Sequence, residues 1–225
     1  RRANGEVYFA GTNSMTASAV LLGIGLSGIG AGPGKLHLGQ TNALFANTIT
    51  VGQRTISSLI DFQTGLTDPI VKIRARDGIS GVANWYLGQN TTANQSASSS
   101  SGTCDFSAGI LDATVTNLYV GYISGGTASS GKTGNGTFIM GASPNNSLVV
   151  QNLFVADVNI AIAGTTGSTG VLDVRGGTVT AGAVTLALQL GAPPATATLS
   201  LSNATMQVNG DLADGSGTST ITAVS

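Results

Sequence analysis

Charged side chains are the scarcest commodity in this sequence. Nine Lys or Arg and ten Asp or Glu stand among 225 residues, 8% of the chain, where an ordinary globular protein carries about 25%. The net charge of −1 excludes the clustered basic surface that nucleic acid requires. It also leaves little long-range repulsion between copies, which permits self-association. A single cysteine, Cys104, excludes an intramolecular disulfide; it is read as a small buried hydrophobe beside Phe106. The one histidine, His37, stands between two apolar residues, so neither a catalytic triad nor a metal site is expected. Ala19 to Ile29 (AVLLGIGLSGI) is the one strongly apolar run, shorter than the ~20 residues a membrane span needs. It is expected as a buried strand pair near the first turn. Linkers rich in Pro or in charge are also missing, so a single domain is expected. The sequence opens Arg-Arg rather than Met, which reads as a processed or trimmed chain, and no signal peptide is visible in it.

What is abundant is glycine, 33 residues of it, with Ser, Thr and Asn around a hydrophobic content of 41%. Disorder pairs low hydrophobicity with high net charge, and neither holds here. A short phrase recurs instead: two apolar residues flank a polar one, commonly before Gly. It appears as Leu36-His37-Leu38-Gly39, Trp85-Tyr86-Leu87-Gly88, Phe138-Ile139-Met140-Gly141, Leu172-Asp173-Val174 and Leu199-Ser200-Leu201. A second set is Ile49-Thr50-Val51-Gly52, Leu118-Tyr119-Val120-Gly121, Leu153-Phe154-Val155 and Leu188-Gln189-Leu190-Gly191. Period-2 alternation closed by Gly predicts short half-buried strands entering turns. Repeated down a chain, it predicts a solenoid whose coils bury their apolar faces on one another.

The repeats begin at residue 34 and run to 225. Residues 1–33 fit the phrase poorly and are expected as an N-terminal cap or a strand donated to a neighbour. Coils of roughly 20 to 25 residues predict about eight turns, a rod near 40 Å at ~4.8 Å per turn. Gly/Ser-rich insertions at 91–103, 124–136 and 163–170 are expected to project from one corner. Ile70 to Asp77 alternates cleanly, pointing Val71, Ile73 and Ala75 inward and Lys72, Arg74 and Arg76 outward.

Val171-Leu-Asp-Val-Arg-Gly-Gly-Thr-Val-Thr180, Leu199-Ser-Leu-Ser-Asn-Ala-Thr-Met-Gln-Val-Asn-Gly210 and Phe106-Ser-Ala-Gly-Ile-Leu-Asp-Ala-Thr114 resemble the repeats of bacterial autotransporter passengers and related cell-surface proteins. The resemblance covers roughly 34 to 225. It implies an all-β, right-handed parallel β-helix (a β-solenoid), and a secreted or surface-exposed bacterial protein with a structural or adhesive task.

Several constellations bear on chemistry. Gly126 to Thr133 matches the phosphate-loop pattern, but a strand-like segment follows where a helix N-terminus is required. A polysaccharide lyase or hydrolase would need paired carboxylates or acidic cation ligands; Asp61, Asp68 and Asp77, with Arg74 and Arg76 beside them, come nearest. Scattered single acids favour solvated charges, so no catalytic, cofactor or metal residue is assigned and no enzyme activity is expected. Thr-x-Thr pairs at 48/50, 114/116, 178/180, 196/198 and 220/222 could form ice-matching ladders, but fall at differing points of the repeat and read as ordinary outward strand residues. N-x-[ST] sequons at Asn90, Asn94, Asn135, Asn145 and Asn203 fall mostly in expected loops.

The expected function is therefore structural: an extracellular or cell-surface filament subunit or adhesin stalk. Solenoid ends are open strand edges that take another copy as partner. Seven basic against four acidic residues through Asp77, and two against six beyond it, would suit head-to-tail stacking. A surface glycan is the further partner, and a carbohydrate-binding or polysaccharide-degrading β-helix the competing class.

Overall fold

The computed structural model describes residues 4–25, 32–54, 57–91, 99–124, 133–159, 167–191 and 193–224. Each coil pairs a short strand with a long bent one. β1 (Gly5–Tyr8) and β2 (Thr12–Ile24) form the first coil, β3 (Gly34–Leu38) and β4 (Thr41–Gln53) the second. In the third, β5 (Ser58–Phe62) is followed by a split partner, β6 (Ile70–Arg74) and β7 (Val82–Asn90). Then come β8 (Ser99–Phe106) with β9 (Ile110–Ser124), β10 (Thr133–Met140) with β11 (Ser147–Asn159), and β12 (Ser168–Val174) with β13 (Gly177–Gln189). β14 (Ala195–Ser202), β15 (Ala204–Val208), β16 (Leu212–Asp214) and β17 (Thr218–Val224) complete the described chain.

The short strands build an eight-stranded sheet in the order β1-β3-β5-β8-β10-β12-β14-β17, and the long ones build a nine-stranded sheet on the opposite wall. Every pairing is parallel, and the whole is an all-β solenoid of about 6 turns. That is fewer than expected because coils are longer: Asn84, Asn117 and Asn152 hold one position on successive coils, 33 and 35 residues apart. Residues 5–24, which fit the phrase poorly, add a coil in register, with Val7 beside Leu36 and Val20 beside Ile49. Of the apolar run, Ala19 to Ile24 ends strand β2, with Val20 buried and Leu21 exposed, and residues 26–29 lie outside the described residues.

The core consists of columns. On the first sheet Leu36, Ile60, Cys104, Phe138, Leu172 and Leu199 stack coil upon coil. Ile49, Trp85, Leu118, Leu153 and Val184 do so on the second. Trp85, Phe106 and Phe138 meet edge to face at centroid distances of 5.3 to 6.2 Å, the arrangement favoured by ring quadrupoles. Trp85-Tyr86-Leu87 thus belongs to the second set of phrases, not the first. Cys104 is fully buried in its column, and burial pushes its thiol well above the usual range. Buried Asn42 and Asn146 fasten the turns between sheets: Asn146 accepts from the Leu111 N–H at 2.8 Å and donates to the Gly141 carbonyl at 2.8 Å.

A corner runs down the long strands where the backbone turns left-handed: Gly23, Gly52, Gly88, Gly121, Ala156 and Ala187, φ +48° to +80°. Pairing on either side of these residues aligns them as one column. Across the coil, Gly102, Gly136 and Gly170 press their backbones against it; a methyl on Gly136 would overlap the Gly121 nitrogen. The phrase Leu188-Gln189-Leu190 lies just past the inward set, because Ala187, not Gly191, sits at this corner; Val184 and Leu186 fill the columns. Left-handed backbone costs a non-glycine residue about 1–2 kcal/mol, partly offset in a Gly variant by unfolded-state entropy. Ala156→Gly should therefore stabilise the fold by up to ~1 kcal/mol in urea titrations; a loss of stability would show that no strain resides there.

Candidate functional site

Three surfaces carry features beyond simple coil stacking. The first is the outer face of the short-strand sheet at its N-terminal end. Alternation points Tyr8, His37 and Asp61 outward in one column. His37 is not alone: its Nδ1 lies 2.6 Å from Asp61 Oδ1, and the Tyr8 ring stacks on the imidazole at 4.4 Å. Beside them Lys35 Nζ reaches Glu6 Oε1 at 2.7 Å, and the Tyr8 hydroxyl donates to Glu6 Oε2 at 3.2 Å. Hydrogen bonding to Lys35 lowers the Glu6 carboxyl and raises the Lys35 ammonium. Burial raises Asp61, outweighing the hydrogen bond from His37. His37 Nε2 is buried with no hydrogen-bond partner. The contacts of Tyr8, His37 and Asp61 tie the first three coils together.

The acids at 61, 68 and 77 do not converge. Asp61 stands on the short-strand sheet, and Asp68 occupies the turn after it with φ +45°. Asp77 caps its own loop, accepting from the Ile79 and Ser80 N–H groups at 2.9 and 2.8 Å and from the Ser80 hydroxyl at 2.6 Å. Arg74, on the other wall, is committed to Asp112 at 2.6 Å and to the Asp112 carbonyl at 2.8 Å. Lys72 and Arg76 point outward, as the alternation predicts. Among the described residues no group of three or more His, Cys, Asp or Glu could hold a metal ion.

Gly126 to Lys132 lies outside the described residues; Thr133 opens strand β10 rather than a helix. Most of the three insertions and Asn94 likewise lie outside them. Their flanks do align: Ile123 pairs with Asn90 and with Val158 where the strands leave, and Thr133 with Ser99 where they resume. Of the remaining sequons, Asn90 is fully buried, whereas Asn135, Asn145 and Asn203 are exposed. The Thr pairs divide between the two walls, with Thr198 beside Thr220 on one and Thr114, Val149 and Thr180 in a column on the other.

The second surface is the outer face of the long-strand sheet. Asn117 Nδ2 donates to Asn84 Oδ1 at 3.1 Å, and Asn152 Nδ2 to Asn117 Oδ1 at 2.9 Å, an amide ladder over three coils. Two residues on, Tyr86, Tyr119 and Phe154 stack at 4.8 and 4.7 Å with planes within 15° and 6° of parallel. Tyr122 leans on Tyr119 at 4.7 Å. Burial lifts the Tyr119 hydroxyl to about 12 and the carboxyl of Asp157, on the adjacent coil position to Tyr122, to about 6. The stacked rings cover one another's faces, so they stiffen the wall more than they offer flat platforms to a sugar.

The third surface is the pair of end coils. β1 and β17 terminate one sheet with no strand beyond them among the described residues. The inward columns surface there: Val7 is 50% exposed, Ile221 52% and Leu212 56%. No helix of the described chain is long and apolar enough to cross a membrane. Comparison with known protein families, curated proteins and solved structures finds no match to this chain.

Proposed function

We propose that the protein is a structural subunit of the bacterial cell surface or extracellular space, built to stack end to end with copies of itself. The observation that carries this reading is the continuity of one column, Val7-Leu36-Ile60-Cys104-Phe138-Leu172-Leu199-Ile221, buried along its length and half exposed at each end. An open parallel edge with apolar side chains beneath it is a template for another strand. Seating Val7 of one copy over Ile221 of the next extends both the column and the hydrogen-bond ladder. The contact is heterologous and does not close, so it propagates as a filament. The low charge of the chain keeps the repulsion between stacked copies small. The repeat style shared with autotransporter passengers supports the surface location.

Sedimentation and negative-stain microscopy over a concentration series test it. Fibres one coil wide are expected, and Ile221→Lys, placing a charge where the next coil must seat, should leave monomers with an unchanged circular dichroism spectrum. A wild-type chain that stays monomeric at the highest concentration reached would refute the reading.

A further inference from the structure

An open groove of about 340 Å³ follows the bend of the long-strand sheet, running along the solenoid axis rather than across it. Thr114, Val149 and Thr180, one outward column, form one wall, Thr116 and Gln151 the other, with buried Val115 and Val150 between them and Asn209 on the next coil; Val149 is 43% exposed. Among the described residues nothing hydrogen-bonds the three threonine hydroxyls or the Gln151 amide, while Asn209 Oδ1 accepts from Gln207 at 2.7 Å. Gly81 and Gly182 keep the walls low. No Asp, Glu, Lys or Arg lines it; the nearest acid along β9, Asp112, is held by Arg74. The amide ladder of Asn84, Asn117 and Asn152 borders one side.

We infer that this groove binds a neutral, hydroxyl-rich glycan chain laid along the axis. Free hydroxyl and amide groups recur at the coil spacing of ~4.8 Å, so one chain meets a fresh set of donors and acceptors on each coil. Val149 gives one wall an exposed aliphatic contact for the C–H face of a sugar ring, and the uncharged lining suits an uncharged chain. A uronate polymer would lose hydration at each carboxylate and find no cation in return. A peptide is a poorer occupant, because it pairs with a sheet edge, whereas the backbone groups here are spent within the ladders. The volume lies at the small end of ligand sites, enough for a few rings. This site is separate from the end coils and does not depend on their stacking.

The test uses the Ile221→Lys chain, to keep assembly out of the measurement, titrated with cellohexaose and mannohexaose while backbone amide resonances are followed. At least one neutral oligosaccharide should saturate and shift Thr116 and Gln151, and oligogalacturonate should not. Gln151→Glu, an exposed change, should weaken binding about tenfold or more, and Asn135→Glu on the opposite wall should leave it unaltered. No saturation at millimolar sugar, equal binding of oligogalacturonate, or indifference to Gln151→Glu would each overturn the inference. So would groove shifts that track protein concentration without sugar, which would make the occupant a second copy.

Discussion

Gly88→Ala should cost more than about 4 kcal/mol, enough to leave the chain largely unfolded if its stability lies in the usual range of roughly 5–15 kcal/mol. Two effects act there. The backbone is left-handed at φ +65°, which alone costs alanine about 1–2 kcal/mol. A methyl would also overlap the carbonyl of Asn135, which faces it across the coil. The second effect dominates. Ala156 and Ala187 show that the left-handed backbone alone does not bar a methyl from this corner. At Gly88 neither side can give way: β7 is bonded to β4 and β9, and β10 to β8 and β12. Gly5→Ala is the control, since nothing lies within 4 Å of a methyl there, and it should change stability by less than ~0.5 kcal/mol. Urea titration followed by far-ultraviolet circular dichroism gives both values. Gly88→Ala with a midpoint near wild type would mean that the two walls are not in backbone contact.

That contact also marks where the sequence stopped being readable. Alternation located the inward residues well, because a parallel coil repeats the same physical demand at each turn: Leu36, Ile49, Phe138, Leu172 and Leu199 are all buried. Glycine was read as the end of a strand, yet β4 runs through Gly52 and β9 through Gly121. Its role there is to bend the strand while admitting the opposite backbone, a demand set by residues dozens of positions away. Once alanine took the same corner at 156 and 187, a glycine-keyed register slipped.

The surface ladders were legible in part. Asn84-Trp85-Tyr86, Asn117-Leu118-Tyr119 and Asn152-Leu153-Phe154 repeat one pattern, amide, inward apolar, outward ring. Reading the apolar flanks alone omitted the Asn before each, and with it the amide ladder. The pairing of His37 with Asp61 had no local signal: the two are 24 residues apart and meet because their strands are neighbours in register. Likewise Asp61 and Arg74, close in sequence, stand on different walls because a coil turns between them.

Asp157→Asn should stabilise the protein at pH 8 by roughly 2–3 kcal/mol and do almost nothing at pH 3. Asp157 is 3% exposed, and its Oδ1 has no hydrogen-bond partner. Burial raises its carboxyl from an ordinary 3.8 to about 6. The folded chain therefore holds this proton between about pH 4 and 6 while the unfolded chain releases it, so stability falls as pH rises through that window. Below it both states are protonated and the penalty is absent; above it the folded state carries a buried, unpartnered charge. At about 1.4 kcal/mol for each unit of pH, the full loss is roughly 3 kcal/mol. Asn keeps the shape and cannot ionise. Asp61, also raised by burial, adds loss of the same sign as pH rises, but His37 opposes it and it is common to both proteins, so it cancels from the comparison. Urea midpoints of the two proteins at pH 3, 5 and 8 should diverge steadily and level off above pH 7. A constant difference across that range would mean that Asp157 is solvated and that the wall formed by Tyr119, Tyr122 and Phe154 does not exclude water from it.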